Sequence, residues 1–106
     1  MSRSTVRSGA PVQPPVTTAG TPGSTDDVRE FVDTFARPCF VTNTSATDDL
    51  FVLSNEEACS PTNFLVKLAP LQAVDLSVEG QMCVTKVSLY YAVAAYSAAL
   101  VRGWVV

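Results

Sequence analysis

The stretch "CFVTNTSATDDLFVLSNEEACSPTNFLVKL", residues 39–68, decides the fold class. Its runs at 39–44, 50–54 and 63–68 are rich in β-branched and aromatic residues, and turn-forming residues separate them. Such runs predict β-strands. Residues 73–80 alternate apolar with polar residues, which predicts a further half-buried strand. Residues 81–87 fit either a short strand or the approach to a helix. The chain is therefore predicted to be mainly β.

A short helix is predicted before the first of these strands. Thr25 is a good N-cap, and the acidic residues that follow it suit the positive end of a helix. The apolar residues beyond them recur at the spacing of one helical face. Pro38 disfavours helical backbone at the residue before it, so the predicted helix covers residues 26–36. Its apolar face consists of Val28, Phe31, Val32 and Phe35.

A second helix is predicted in "YYAVAAYSAALVRGWVV", residues 90–106. Ser88 is a candidate N-cap, the helix covers residues 89–101, and Gly103 is a natural residue just past its end. Trp104 and the two valines after it have the composition of the start of a strand. The main apolar face of this helix consists of Leu89, Val93, Tyr96 and Leu100.

The same apolar stretch permits a membrane anchor as an alternative. Residues 87–101 carry no charge, but a bilayer core needs about twenty apolar residues. Extending the span to residue 106 places Arg102 inside it, at a cost of a few kcal/mol. A buried helix is therefore favoured over a tail-anchored protein that uses residues 87–106.

The first 25 residues differ in composition from the rest of the chain. They contain four prolines and nine Ser or Thr residues, and such a segment buries too little apolar surface to offset its ordering entropy. We expect a flexible, extended N-terminal arm over residues 1–25. Arg3 and Arg7 lie in an acid-free part of it and give it a local charge of +2.

Composition argues against catalysis. The chain has no histidine, which removes the usual general base and the commonest metal ligand. Cys39, Cys59 and Cys83 are too widely spaced for a zinc set, and we expect reduced, buried thiols. Adjacent acidic residues diverge and suit a helix cap or solvated loops better than proton transfer. We therefore expect no enzyme activity, no cofactor and no metal.

The order of these elements resembles a known family. An extended arm, the segment "DDVREFVDTFARPCFV" (26–41), loop-separated strands and a helix ending in "VRGWVV" (101–106) are similar to the N-terminal portion of picornavirus-like capsid proteins. Picornaviruses and related insect and plant viruses carry this family. The resemblance covers about residues 26–106 and implies an antiparallel jelly-roll β-sandwich. The chain ends where the fourth strand of such a domain begins, so we expect residues 26–106 to be part of a larger sandwich or to complete their sheets with another chain.

The resemblance also implies a function. The protein would be a coat subunit of a small icosahedral RNA virus, located in the virion and, during assembly, in the host cytoplasm. Its partners would be other capsid chains, a host receptor, and genomic RNA, whose phosphates Arg3 and Arg7 of the arm would contact on the inner surface of the shell. The two predicted helix faces would pack in the core or between subunits. A small soluble adaptor, using "PVQPP" (11–15) as a ligand for partner domains, is a further alternative.

Overall fold

A computed structural model describes residues 11–18, 20–25, 27–93 and 99–105. None of these described residues lies in a helix. The described residues form nine strands, in chain order β1 (Pro11–Val12), β2 (Val16–Thr18), β3 (Asp27–Glu30), β4 (Ala36–Asn43), β5 (Leu50–Ser54), β6 (Val66–Leu68), β7 (Ala73–Asp75), β8 (Lys86–Tyr90) and β9 (Ala99–Val105). The prediction of a mainly β chain is confirmed.

The strands form two antiparallel sheets that share one core, an arrangement that fits a β-sandwich. Sheet A has the order β1-β9-β4-β7, and sheet B has the order β2-β3-β8-β5-β6. Apart from the β2–β3 and β5–β6 hairpins, each connection between successive strands crosses from one sheet to the other. The core draws alternate residues from both sheets, among them Cys39, Val41 and Val101 from sheet A and Leu50, Val52, Val87 and Leu89 from sheet B.

The predicted helix over residues 26–36 is wrong. Residues 27–30 form β3, which pairs with β8, and residues 31–35 turn the chain into β4. Asp33 makes that turn with a φ of 59°, a left-handed conformation that Asp tolerates better than most residues. A ten-residue helix is marginal in water, so pairing with β8 outweighs the helical spacing. The predicted face is accordingly split: Val28 and Phe31 are buried, Phe35 is half-buried and Val32 is exposed.

The predicted helix over residues 89–101 is also wrong at both ends. Leu89 ends up in β8, and residues 99–101 open β9; residues 94–98 lie outside the described part of the chain. Burial alternates along β9, with Ala99, Val101 and Gly103 facing the core. Gly103 is thus a strand residue, and Trp104 lies near the end of β9 instead of opening a strand. Long-range pairing with β4 determines the structure here.

The described part of the N-terminal arm contributes an edge strand to each sheet. β1 pairs with β9, and β2 pairs with β3. Pro14, between them, is buried. The outermost strands of both sheets have only two or three residues, and short edge strands limit unwanted pairing with other chains. Residues 1–10, which include Arg3 and Arg7, lie outside the described residues.

A buried polar cluster joins the ends of several strands. The amide of Asn43 donates to the carbonyl oxygens of Asp48, Leu68 and Ala69, at 2.8, 3.3 and 3.1 Å. Its oxygen accepts hydrogen bonds from the Ser45 backbone N–H and from the Tyr91 hydroxyl. Asn43 and Tyr91 are both fully buried. The side chain of Asn43 therefore connects β4 to β6, to the β4–β5 loop and to the residue that follows β8.

A second polar contact connects the two sheets directly. Arg29 of β3 is buried, and its Nη1 donates to the carbonyl oxygen of Ala99 in β9 at 2.7 Å. Its Nη2 lies 3.7 Å from a carboxylate oxygen of the buried Asp27. Truncating Arg29 or Asp27 would leave the other charge buried and uncompensated. The hydrogen bond from Arg29 to Ala99 fixes the position of β3 against sheet A.

Gly103 is required by close packing on the inner face of sheet A. A Cβ at this position would overlap the Cβ of Ala36 and lie 2.8 Å from Cζ of Phe31. All three residues are buried. The absence of a side chain at Gly103 thus lets the turn after β3 pack under β9.

We expect Gly103→Ala to lower the free energy of unfolding by about 1–3 kcal/mol, because the added methyl overpacks the core. Urea denaturation measures the change. Ala36→Gly in the same chain removes one of the overlapping atoms, so the double variant should lose less than the sum of the two single variants. Additive losses would contradict this packing.

Stability should also depend on pH through Tyr91. Burial raises the pKa of Tyr91 to about 12, above the ordinary tyrosine value of about 10. The buried neutral phenol therefore stabilises the fold fully below about pH 10, and this stabilisation is lost as the pH rises toward 12. Burial also raises the pKa of Cys39 and of Cys59 to about 12. Their neutral thiols therefore stabilise the fold too, and this stabilisation is lost as the pH rises above about 9.

Tyr91→Phe removes one of these titrating groups, so its unfolding free energy should fall less steeply above pH 10 than that of the wild type. The difference in the fall reaches about 1 kcal/mol at pH 11. Urea titrations between pH 8 and 11 measure it. Tyr90→Phe is the matched control, since that ring lies on the outer face of sheet B. Equal slopes for Tyr91→Phe and the wild type would contradict the role of Tyr91.

Candidate functional site

The outer face of sheet A carries an apolar groove. Residues that alternate with the core positions of β4 and β9 point away from sheet B, and register places Phe40 opposite Arg102 and Thr42 opposite Leu100. The groove has a volume of about 350 Å³, within the range of ligand and peptide sites. We call it the sheet A groove; it is lined by Phe40, Thr42, Ala73, Leu100, Arg102 and Trp104.

An aromatic pair forms one part of the groove. The rings of Phe40 and Trp104 meet edge to face, with centroids 5.7 Å apart and planes at 75°. Trp104 remains 38% exposed, and it is the single tryptophan of the chain. A large ring with this exposure on a sheet face supplies contact area that a partner can bury.

Arg102 supplies the charge of the groove. It is exposed on β9, and among the described residues no carboxylate lies within ion-pair distance of it. The other lining residues are apolar except for the hydroxyl of Thr42. The groove therefore combines an apolar surface with one available cation, which suits an occupant with an apolar group and a carboxylate.

The outer face of sheet B has its own aromatic cluster. Phe51 meets Phe64 and Tyr90 edge to face, at centroid distances of 5.0 and 5.9 Å. Lys67 lies 5.7 Å from the Phe51 ring centroid and 3.7 Å from a carboxylate oxygen of Asp49. Phe64 belongs to the loop between β5 and β6 and is 41% exposed. Both outer faces of the sandwich thus present aromatic surface.

The cysteines are suited to packing more than to reaction. Cys39 and Cys59 are fully buried, and burial raises the pKa of both thiols to about 12. They are therefore protonated at neutral pH, and a thiol is a weak nucleophile and metal ligand. Cys83 is exposed. In the part of the chain that the structure describes, no three His, Cys, Asp or Glu residues are grouped to hold a metal ion.

The residues predicted from sequence to pack in the core or between subunits do not form one site. Phe31 and Leu89 lie in the core, and Leu100 lines the sheet A groove. Val93 is exposed, and Tyr96 lies outside the described residues. Sequence reasoning missed the groove because it assigned residues 89–101 to a helix. The available signal was the alternation of Leu100, Arg102 and Trp104 with Ala99, Val101 and Gly103.

Comparisons of the chain with protein-family models, with curated proteins and with solved structures found no match. Function must therefore be argued from the residues and the geometry alone.

The aromatic pair should be measurable in a double-mutant cycle. Phe40→Leu and Trp104→Leu each remove one ring, and we expect a coupling energy of about 0.5–1.5 kcal/mol between them in urea denaturation, typical of an edge-to-face pair. Val12→Leu with Phe40→Leu is the control cycle, because Val12 lies on β1 and has no ring. A coupling of zero between Phe40 and Trp104 would contradict the described geometry.

Proposed function

We propose that the protein is a structural subunit of a jelly-roll viral coat, forming a shell with other capsid chains. The observation that carries this proposal is the sheet A groove, an aromatic surface on the outside of the sandwich. Tryptophan and arginine are enriched among the residues that contribute most to protein–protein contacts, and the groove presents both Trp104 and Arg102. A shell subunit needs surfaces of this kind.

The topology supports the same proposal. A jelly roll is a two-sheet, antiparallel architecture of eight strands in two Greek keys, and viral capsid domains use it, as do lectins and cupins. The chain has two antiparallel sheets, and most connections cross between them. Because lectins and cupins share this architecture, the fold alone does not indicate a coat function, and the proposal rests on the groove.

The residues outside the groove also favour a structural role. The buried polar groups Asn43, Tyr91 and Arg29 bond to backbone carbonyls or to one another between strands, as groups that fix a scaffold do. The thiols of Cys39 and Cys59 are protonated at neutral pH. None of these arrangements brings together a nucleophile and a base.

The partners named by the resemblance remain proposals. Arg3 and Arg7 precede β1 and would contact genomic RNA through its phosphates if the arm enters the interior of the shell. Receptor binding would involve surfaces of the assembled virion, and assembly would take place in the host cytoplasm.

Two alternatives are less well supported. Among the described residues, no helix is long and apolar enough to cross a membrane, and β8 and β9 occupy most of residues 86–105. An adaptor would present "PVQPP" to a partner, but Pro11–Val12 pair with β9 and Pro14 is buried. A ligand of that kind needs accessible prolines.

Negative-stain electron microscopy of the purified full chain tests the proposal. We expect closed shells of uniform diameter at high protein concentration. Trp104→Glu places a charge on the groove and should abolish the shells while the circular dichroism spectrum stays that of a β protein. Val32→Glu, at an exposed turn position, is the matched control and should leave the shells intact. A uniform small monomer at every concentration would contradict the proposal.

A further inference from the structure

The loop between β5 and β6, residues 55–65, has the features that the sheet A groove lacks. It carries the exposed Phe64 and two exposed carboxylates, Glu56 and Glu57. The groove offers the rings of Phe40 and Trp104 and the guanidinium of Arg102. The aromatic and acidic side chains of this loop are thus chemically complementary to the rings and the cation of the groove.

The charges that would meet are available on both surfaces. Glu57 is held by Lys86, whose Nζ lies 3.1 Å from its carboxylate oxygen. Among the described residues, no cation lies within ion-pair distance of Glu56, and no carboxylate lies within ion-pair distance of Arg102. Glu56 and Arg102 are therefore complementary charges that the chain does not pair internally.

Hydrogen bonds within the β5–β6 loop, and between it and residues in or next to β8, already order the loop. Ser60 and Asn63 exchange two backbone hydrogen bonds, each of 3.0 Å. Asn55 accepts from the Thr85 backbone N–H at 2.8 Å, and the buried Cys59 N–H donates to the hydroxyl of Ser88 at 3.1 Å. A loop fixed in this way loses little conformational entropy when it binds, which favours its use as a contact surface.

We propose that the sheet A groove binds the β5–β6 loop of a second copy of this chain. Phe64 of one copy packs on Phe40 and Trp104 of the next, and Glu56 pairs with Arg102 at the rim. This inference deepens the proposed coat function, on which it rests, by naming the partner and the contact.

The placement of the two surfaces determines the kind of assembly. The groove lies on the outer face of sheet A, and the loop packs over the outer face of sheet B, so one copy can use both surfaces at once. Different surfaces in contact make a heterologous interface, which extends to rings or larger assemblies. The contact therefore adds copies beyond a dimer, as a shell requires.

Charge reversal with rescue tests the contact, measured by sedimentation velocity of the full chain over a concentration series. The wild type should grow beyond a dimer as its concentration rises. Arg102→Glu and Glu56→Arg should each weaken association by about tenfold or more, because each places like charges together. The double variant restores an opposite pair and should regain association to within about threefold of the wild type, a difference of less than 1 kcal/mol.

Two matched variants control for net charge. Arg37→Glu reverses an exposed cation of β4 outside the groove, and Glu79→Arg reverses an exposed acid of the β7–β8 connection. Neither should change association, and Glu79→Arg should not rescue Arg102→Glu. Thermal unfolding of each variant checks that the exposed substitutions leave the fold intact.

Several results would overturn the inference. These are a wild type that stays monomeric, a dimer that grows no further, a double variant no better than the single variants, or rescue by Glu79→Arg. Shells that form equally well in Arg102→Glu would overturn this contact while leaving the coat function standing. Charge-rescued association that yields only open chains, with no shells, would overturn the coat function while leaving the contact standing.

Discussion

The pairing of β4 with β9 is the constraint on which the rest of the structure depends. These strands are the two inner strands of sheet A, and their register runs from Asn43 opposite Ala99 to Cys39 opposite Gly103. Because side chains alternate between the faces of a strand, this register sets which residues enter the core and which form the groove. A slip of one residue would bury Arg102 and Trp104 and expose Val101.

The same pairing connects the polar and apolar parts of the core. Asn43, at the end of β4, bonds to the β6 end and to Tyr91, while Ala99, at the start of β9, accepts the hydrogen bond from Arg29 of sheet B. At the other end, Gly103 leaves room for Phe31 and Ala36. Sheet A is thus fixed to sheet B at both ends of one ladder.

The sequence predicted the fold class but not the path of the chain. The β-branched and aromatic run at 50–54 and the alternation that begins at residue 73 predicted strands, and the structure has β5 and β7 there. Val28, Phe31, Val32 and Phe35 also matched the spacing of a helical face. The pairing of β3 with β8 decides against that helix, and it joins residues 56 to 62 positions apart. The alanines before β9 likewise favoured a helix locally, whereas the pairing of β9 with β4 is long-range. The groove could not be predicted, since it needs the register of β4, β7 and β9 together.

On the proposed coat function, a partner covers the outer face of sheet A when the protein assembles. Trp104 is the only tryptophan and lines this face, so its fluorescence reports directly on that surface. Acrylamide quenching of this fluorescence, measured from dilute to concentrated protein, is the most direct test. The account predicts that quenching weakens as the protein assembles and the groove is covered. Quenching that stays constant while the mass of the particles grows would contradict it.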